Sequence, residues 1–96
     1  MVIVITYDVS TETPEGMKRL RNIAKICVDF GIRVQKSVFE CNVDPTQWAI
    51  LKDRLLSTYN SKEDSLRFYY LGSNWQRRVE HCGLNTAPEL GGTLIV

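Results

Sequence analysis

A chain of 96 residues with a formal net charge of +1, 44% hydrophobic and 24% charged, has the size and composition of one soluble globular domain. It has no apolar run approaching the roughly 20 residues of a membrane helix, and its overall charge excludes a generally cationic nucleic-acid coat. Three cysteines and one histidine, with no C-x-x-C pair, do not make a structural zinc site or a disulfide framework, so Cys27, Cys41 and Cys82 are expected to be reduced and largely buried thiols.

The first eight residues after Met1, VIVITYDV, are β-branched and apolar apart from Thr6 and Asp8, which predicts a central strand covered on both faces. Alternation puts Asp8 on one face with Val2, Val4 and Thr6. The segment has neither a positive n-region nor a small-residue cleavage site, so it is not expected to be a signal peptide, and the chain is expected to be cytoplasmic. Ser10 to Thr13 reads as a turn. Thr13 then caps a helix that has Pro14 first, where its missing N–H costs nothing.

Leu20, Ile23, Ala24, Cys27 and Phe30 form the buried stripe of that helix, and Gly31 is expected to end it as a C′ glycine. Lys18, Arg21, Asn22 and Lys25 fall on the opposite side, with Arg19 at its margin. No acid lies between Met17 and Val28, and Arg77-Arg78 make a second basic pair, so both patches are candidates for phosphate contact despite the near-neutral total. Glu15 and Asp29 are the nearby acids that would neutralise part of the stripe.

Residues 32–43 read as two strands with a break near Gln35–Ser37. Asp44, Pro45 and Gln47 open a second helix, which has Trp48, Leu51, Leu55 and Tyr59 on its apolar face. A polar loop from Asn60 to Asp64 leads into a strand from Ser65 to Leu71, in which Leu66, Phe68 and Tyr70 are expected to face the core. After a turn at Gly72-Ser73-Asn74, Gln76 to Cys82 is expected to add a short strand, followed by a loop from Gly83 to Gly92 and an apolar tail from Thr93 to Val96.

The order β-α-β-β-α-β plus a tail predicts an α/β (α+β) ferredoxin-like domain spanning 1–96, with its core at about 1–82 and a C-terminal strand in a tail at about 83–96. Helices on one sheet face leave the other face to be covered, which together with the apolar tail points to dimerisation, with the tail strand pairing onto a partner. Tyr69, Tyr70 and Trp75 lack the surrounding pattern of an RNA-recognition module and are read as packing residues.

Several blocks carry a family resemblance: Tyr7-Asp8-Val9-Ser10, Lys18-Arg19-Leu20-Arg21, Arg33 to Glu40 (RVQKSVFE), Asp64 to Tyr69 (DSLRFY), Leu71-Gly72 and Val79 to Gly83 (VEHCG). In this order and spacing the chain resembles, along essentially its whole length, the small CRISPR-associated endoribonuclease, the second of the Cas proteins. The RVQKSVFE and DSLRFY blocks and the closing Gly92 to Val96 (GTLIV) resemble the branch that accompanies subtype I-C systems. Cys82 departs from the pattern, standing where a small aliphatic residue is expected.

The resemblance implies a symmetric homodimer with swapped C-terminal strands that sits between CRISPR integrase dimers and holds duplex DNA during spacer acquisition. It also implies a nuclease, acting on single-stranded RNA or duplex DNA, that uses Mg2+ or Mn2+ held by the aspartate matching Asp8 in each subunit. Mg2+ needs only one or two protein carboxylates besides phosphate and water, so one per chain suffices at a two-fold axis. Asp8 is therefore the candidate catalytic and metal residue; Lys18, Arg19, Arg21, Lys25, Arg77 and Arg78 are the candidate nucleic-acid contacts, and Ser10 and Ser37 the auxiliary ones. So thin a set of groups implies slow hydrolysis. Alternatives are a toxin-type ribonuclease of related fold, a purely architectural DNA-binding subunit, and a metabolite-binding regulatory domain, for which no cluster of convergent polar residues is visible.

Overall fold

A computed structural model describes residues 1–84. The elements run β1 (Val2–Asp8), α1 (Pro14–Val28), β2 (Ile32–Gln35), β3 (Val38–Asn42), α2 (Pro45–Thr58), β4 (Ser65–Tyr70) and a single-turn α3 (Trp75–Arg78). The sheet order is β2-β3-β1-β4 with every neighbouring pair antiparallel, the arrangement of a ferredoxin-like domain. Among the described residues no helix is long and apolar enough to cross a membrane. The tail strand at 93–96 and its exchange between subunits lie outside the described residues.

The core lies between one sheet face and the two long helices. Ile3, Ile5 and Tyr7 of β1 and Phe39 and Cys41 of β3 meet Ile23, Ile26 and Cys27 of α1 and Trp48, Leu51 and Leu55 of α2. Trp48 makes edge-to-face contacts with Phe68 and Tyr70, its ring centroid 5.0 and 5.8 Å from theirs. The alternate residues of β1 point the other way, and Val4 and Thr6 are only half-buried. The expectation of two covered faces is met on one side only, because no layer of the described chain packs on the second.

Local chemistry explains the helix ends. Thr13 Oγ1 accepts the Gly16 amide at 3.1 Å with Pro14 in the first turn. Asp44 accepts the Gln47 amide at 2.7 Å while Gln47 reaches back to the Asp44 amide at 3.0 Å, a capping box that contributes about 1 kcal/mol. Gly31 plays a different part from the one expected. Only Gly72 and Gly83 have positive φ among the described residues. A Cβ on Gly31 would run into Cys41 Sγ and the Glu40 carbonyl, so glycine is needed there for close approach of the chain to β3.

The strand break is where expected, with Lys36 and Ser37 turning the chain and an irregularity between Arg33 and Gln35. Two other expectations fail. Tyr70 lies at the end of an edge strand and is 57% exposed, so its contact with Trp48 leaves more than half of it outside the core. Residues 76–82 do not form a strand. Without a partner ladder, the segment begins with the turn of α3, where the Arg77 amide donates to the Asn74 carbonyl at 3.1 Å. Cys27 and Cys41 are buried as expected, and burial pushes their thiols up to about 12 and about 11; Cys82 is exposed.

Candidate functional site

Asp8 is the last residue of β1, the strand between β3 and β4. Its register partner is Ser65 at the start of β4. On the other side the Tyr7 amide donates to the Ser37 carbonyl at 3.1 Å. Ser10 follows two residues later, and its amide donates to Asp64 Oδ1 at 3.2 Å. One end of the sheet thus gathers Asp8, Ser10 and Ser37, and adds Ser65, which lies in the DSLRFY block but is not among the candidate site residues. Asp8 is exposed, and its carboxylate makes no ion pair or hydrogen bond among the described residues.

Arg19 is not the free cation that the helical pattern suggests. Its Nε donates to Asp64 Oδ2 at 2.8 Å and its Nη2 to Asp64 Oδ1 at 3.2 Å and Glu63 Oε2 at 2.9 Å. The Asp64 side chain has no exposed surface. The Asn60 amide is a further donor, to Oδ2 at 2.9 Å. The Arg19 hydrogen bond, helped by those from the Asn60 and Ser10 amides, holds the Asp64 carboxyl below its ordinary range despite desolvation.

A carboxyl depressed in the folded state stabilises the fold above its unfolded value of about 3.9 and loses that contribution as pH falls through the folded value. Urea melts of wild type and Asp64→Asn should therefore differ clearly at pH 7, and the gap should narrow below about pH 4. A gap that holds at low pH would show that the ion pair is not its source.

The other candidate cations are accessible. Lys18, Arg21 and Lys25 are exposed on the outer side of α1, and Arg77 and Arg78 are exposed on α3; none makes an ion pair among the described residues. Of the two acids expected to neutralise the stripe, Asp29 pairs instead with Arg54 at 3.2 Å. The helices cover the face that carries Ile3, Ile5 and Tyr7, whereas Asp8 belongs to the opposite set of β1 positions. The α1 stripe and Asp8 therefore lie on different sides of the sheet. Arg67, the register partner of Thr6, is an exposed cation on the face of Asp8, its guanidinium 5.9 Å from the Tyr69 ring centroid. Its signal in the sequence is a cation at strand spacing, period two, rather than at helical spacing.

Among the described residues no three His, Cys, Asp or Glu side chains cluster as a ready-made metal site. A single unpaired, exposed carboxylate beside serines still fits a hard cation that keeps most of its waters and takes phosphate oxygens. It does not fit zinc, which asks for nitrogen and sulfur ligands; His81 is exposed, with Nε2 2.8 Å from the Leu84 carbonyl oxygen.

Comparison with known proteins places this arrangement. The family model for CRISPR associated protein Cas2 matches residues 1–79. A CRISPR-associated endoribonuclease Cas2 from Chlorobaculum tepidum is 60% identical over 96 residues, the whole of both chains. A CRISPR-associated endonuclease Cas2 from Halalkalibacterium halodurans is 50% identical over 95 residues, covering 99% of each. The crystal structure of Streptococcus pyogenes Cas2 at pH 6.5 superposes with a TM-score of 0.77 at 59% identity, over 86% of this chain and 100% of that one. With the fold, the sequence blocks and these relatives in agreement, the chain belongs to the CRISPR-associated Cas2 family.

Proposed function

We propose that the protein is a cytoplasmic, metal-dependent endonuclease of CRISPR adaptation, acting as a homodimer on phosphodiester bonds through Asp8. The observation that carries this reading is the exposed Asp8 carboxylate, unpaired among the described residues, at the end of a central strand. Relatives named endoribonuclease and endonuclease support cleavage, on RNA in some and without a stated substrate in others. Asp8 would hold Mg2+ or Mn2+ together with the Asp8 of a second subunit, with Ser10 and Ser37 as the auxiliary candidates for a phosphate oxygen or a water. When bound, the ion supplies positive charge to the scissile phosphate and acidifies a water. The chain itself supplies a fixed carboxylate and an accessible strand end. Among the described residues no cluster of three His, Cys, Asp or Glu side chains includes Asp8, so the chain offers few groups for proton transfer and slow cleavage is expected.

The accessible cations favour a second role in the same protein. Lys18, Arg21 and Lys25 on α1 and Arg77 and Arg78 on α3, doubled in a homodimer, suit sequence-tolerant binding to the backbone of duplex DNA held between integrase dimers. Arg19 is omitted because it is committed to Asp64. The double variant Arg21→Glu with Arg78→Glu is expected to weaken duplex binding and to flatten the plot of log affinity against log salt by about 0.9 for each phosphate that is no longer neutralised. Unchanged affinity and slope would remove this surface from the reading.

A further inference from the structure

Asp64 lies far from Asp8 in sequence, yet it ties down both chain segments that meet at Asp8. Its Oδ1 accepts the Ser10 amide at 3.2 Å, fixing the chain just after β1, and its Oδ2 accepts the Asn60 amide at 2.9 Å, fixing the loop before β4. The next residue, Ser65, is the register partner of Asp8. Arg19 brings a third segment, α1, to the same carboxylate through two hydrogen bonds of 2.8 and 3.2 Å. A carboxylate with no exposed side-chain surface and donors from three segments is a tie-point, unlike a surface ion pair.

We propose that Asp64, oriented by Arg19, is a positioning residue that fixes the Asp8 end of β1 in its catalytic place. The proposal rests on the reading of Asp8 given above. Asp64 does not touch the substrate. It holds the backbone from which Asp8 projects, and misplacing a reacting group by about 1 Å can cost on the order of 100-fold in rate.

The test compares wild type, Asp64→Asn, Arg19→Lys and Asp8→Asn by steady-state cleavage of a single-stranded RNA with Mg2+, and by amide hydrogen exchange without metal. Asp64→Asn turns one acceptor oxygen into a donor facing donors; Arg19→Lys keeps the charge but loses the planar fork, and serves if the first variant does not fold. Both should lower kcat by about 10- to 100-fold with KM within about twofold, and speed exchange at Val9 and Ser10 while Ile3 and Ile5 stay protected.

Unchanged exchange at Val9 and Ser10 would overturn the proposal, as would exchange that rises equally along the whole of β1, the mark of general destabilisation. Inactive Asp8→Asn beside fully active Asp64→Asn would overturn the positioning role alone. Cleavage by Asp8→Asn at the wild-type rate would overturn the Asp8 reading and the catalytic part of this proposal together, whatever Asp64 does.

Discussion

Asp8→Asn is expected to abolish metal-dependent cleavage of RNA or DNA by the purified protein, with a loss of at least about 100-fold and no loss of folding stability. Asn is nearly isosteric with Asp, and the native carboxylate makes no hydrogen bond or ion pair among the described residues that the change would break. What it removes is the negative charge that a hard cation requires. Cleavage and a thermal melt on the same preparations separate the two effects. Persistent cleavage by the folded variant would point to another centre or a contaminating nuclease.

The second large effect concerns the scaffold. Phe39 of β3 is fully buried, stacks on Tyr7 at 6.2 Å between ring centroids, and carries the Arg33 guanidinium 5.1 Å from its ring centre. Phe39→Ala is expected to cost about 3–5 kcal/mol, from the apolar transfer forgone and the cavity left between sheet and helices. For a domain whose total stability is typically about 5–15 kcal/mol, that leaves little margin. The urea midpoint should fall sharply; a drop of under about 1 kcal/mol would mean that the layer around Phe39 is not the core. Tyr7 packs on Phe39 and precedes Asp8, so the same change would also loosen the strand end that carries the proposed chemistry.

The architecture is readable from the chain because its signals are local. Thr13-Pro14 and Asp44-Pro45 with Gln47 announce both long helices, and the alternation of VIVITYD assigns Asp8 to its face. The departures have non-local causes. Arg19 sits on the margin of a helical wheel, and only its neighbour 45 residues away, in a plain polar loop, decides that it is committed to an ion pair. Gly31 is set by the approach of β3, which no cap rule contains. Residues 76–82 are expected to add a strand after the turn at Gly72–Asn74, but a strand needs a ladder partner, and the described chain gives them none. Arg67 escapes any search for cations at helical spacing, because it stands on a strand.

Asp8 and the cations of α1 lie on different sides of the sheet, so the α1 part of the proposed duplex-binding surface and the proposed cleavage centre are separable within one subunit. Their separate substitution would divide the proposed structural part in spacer acquisition from the proposed hydrolytic one.

Mn2+ binding followed by electron paramagnetic resonance, in wild type and in Asp8→Asn, interrogates the proposed centre without waiting for turnover. One ion shared by two chains in wild type, and none held in the variant, is the expected pattern. Equal binding by both proteins would contradict a metal centre at this carboxylate.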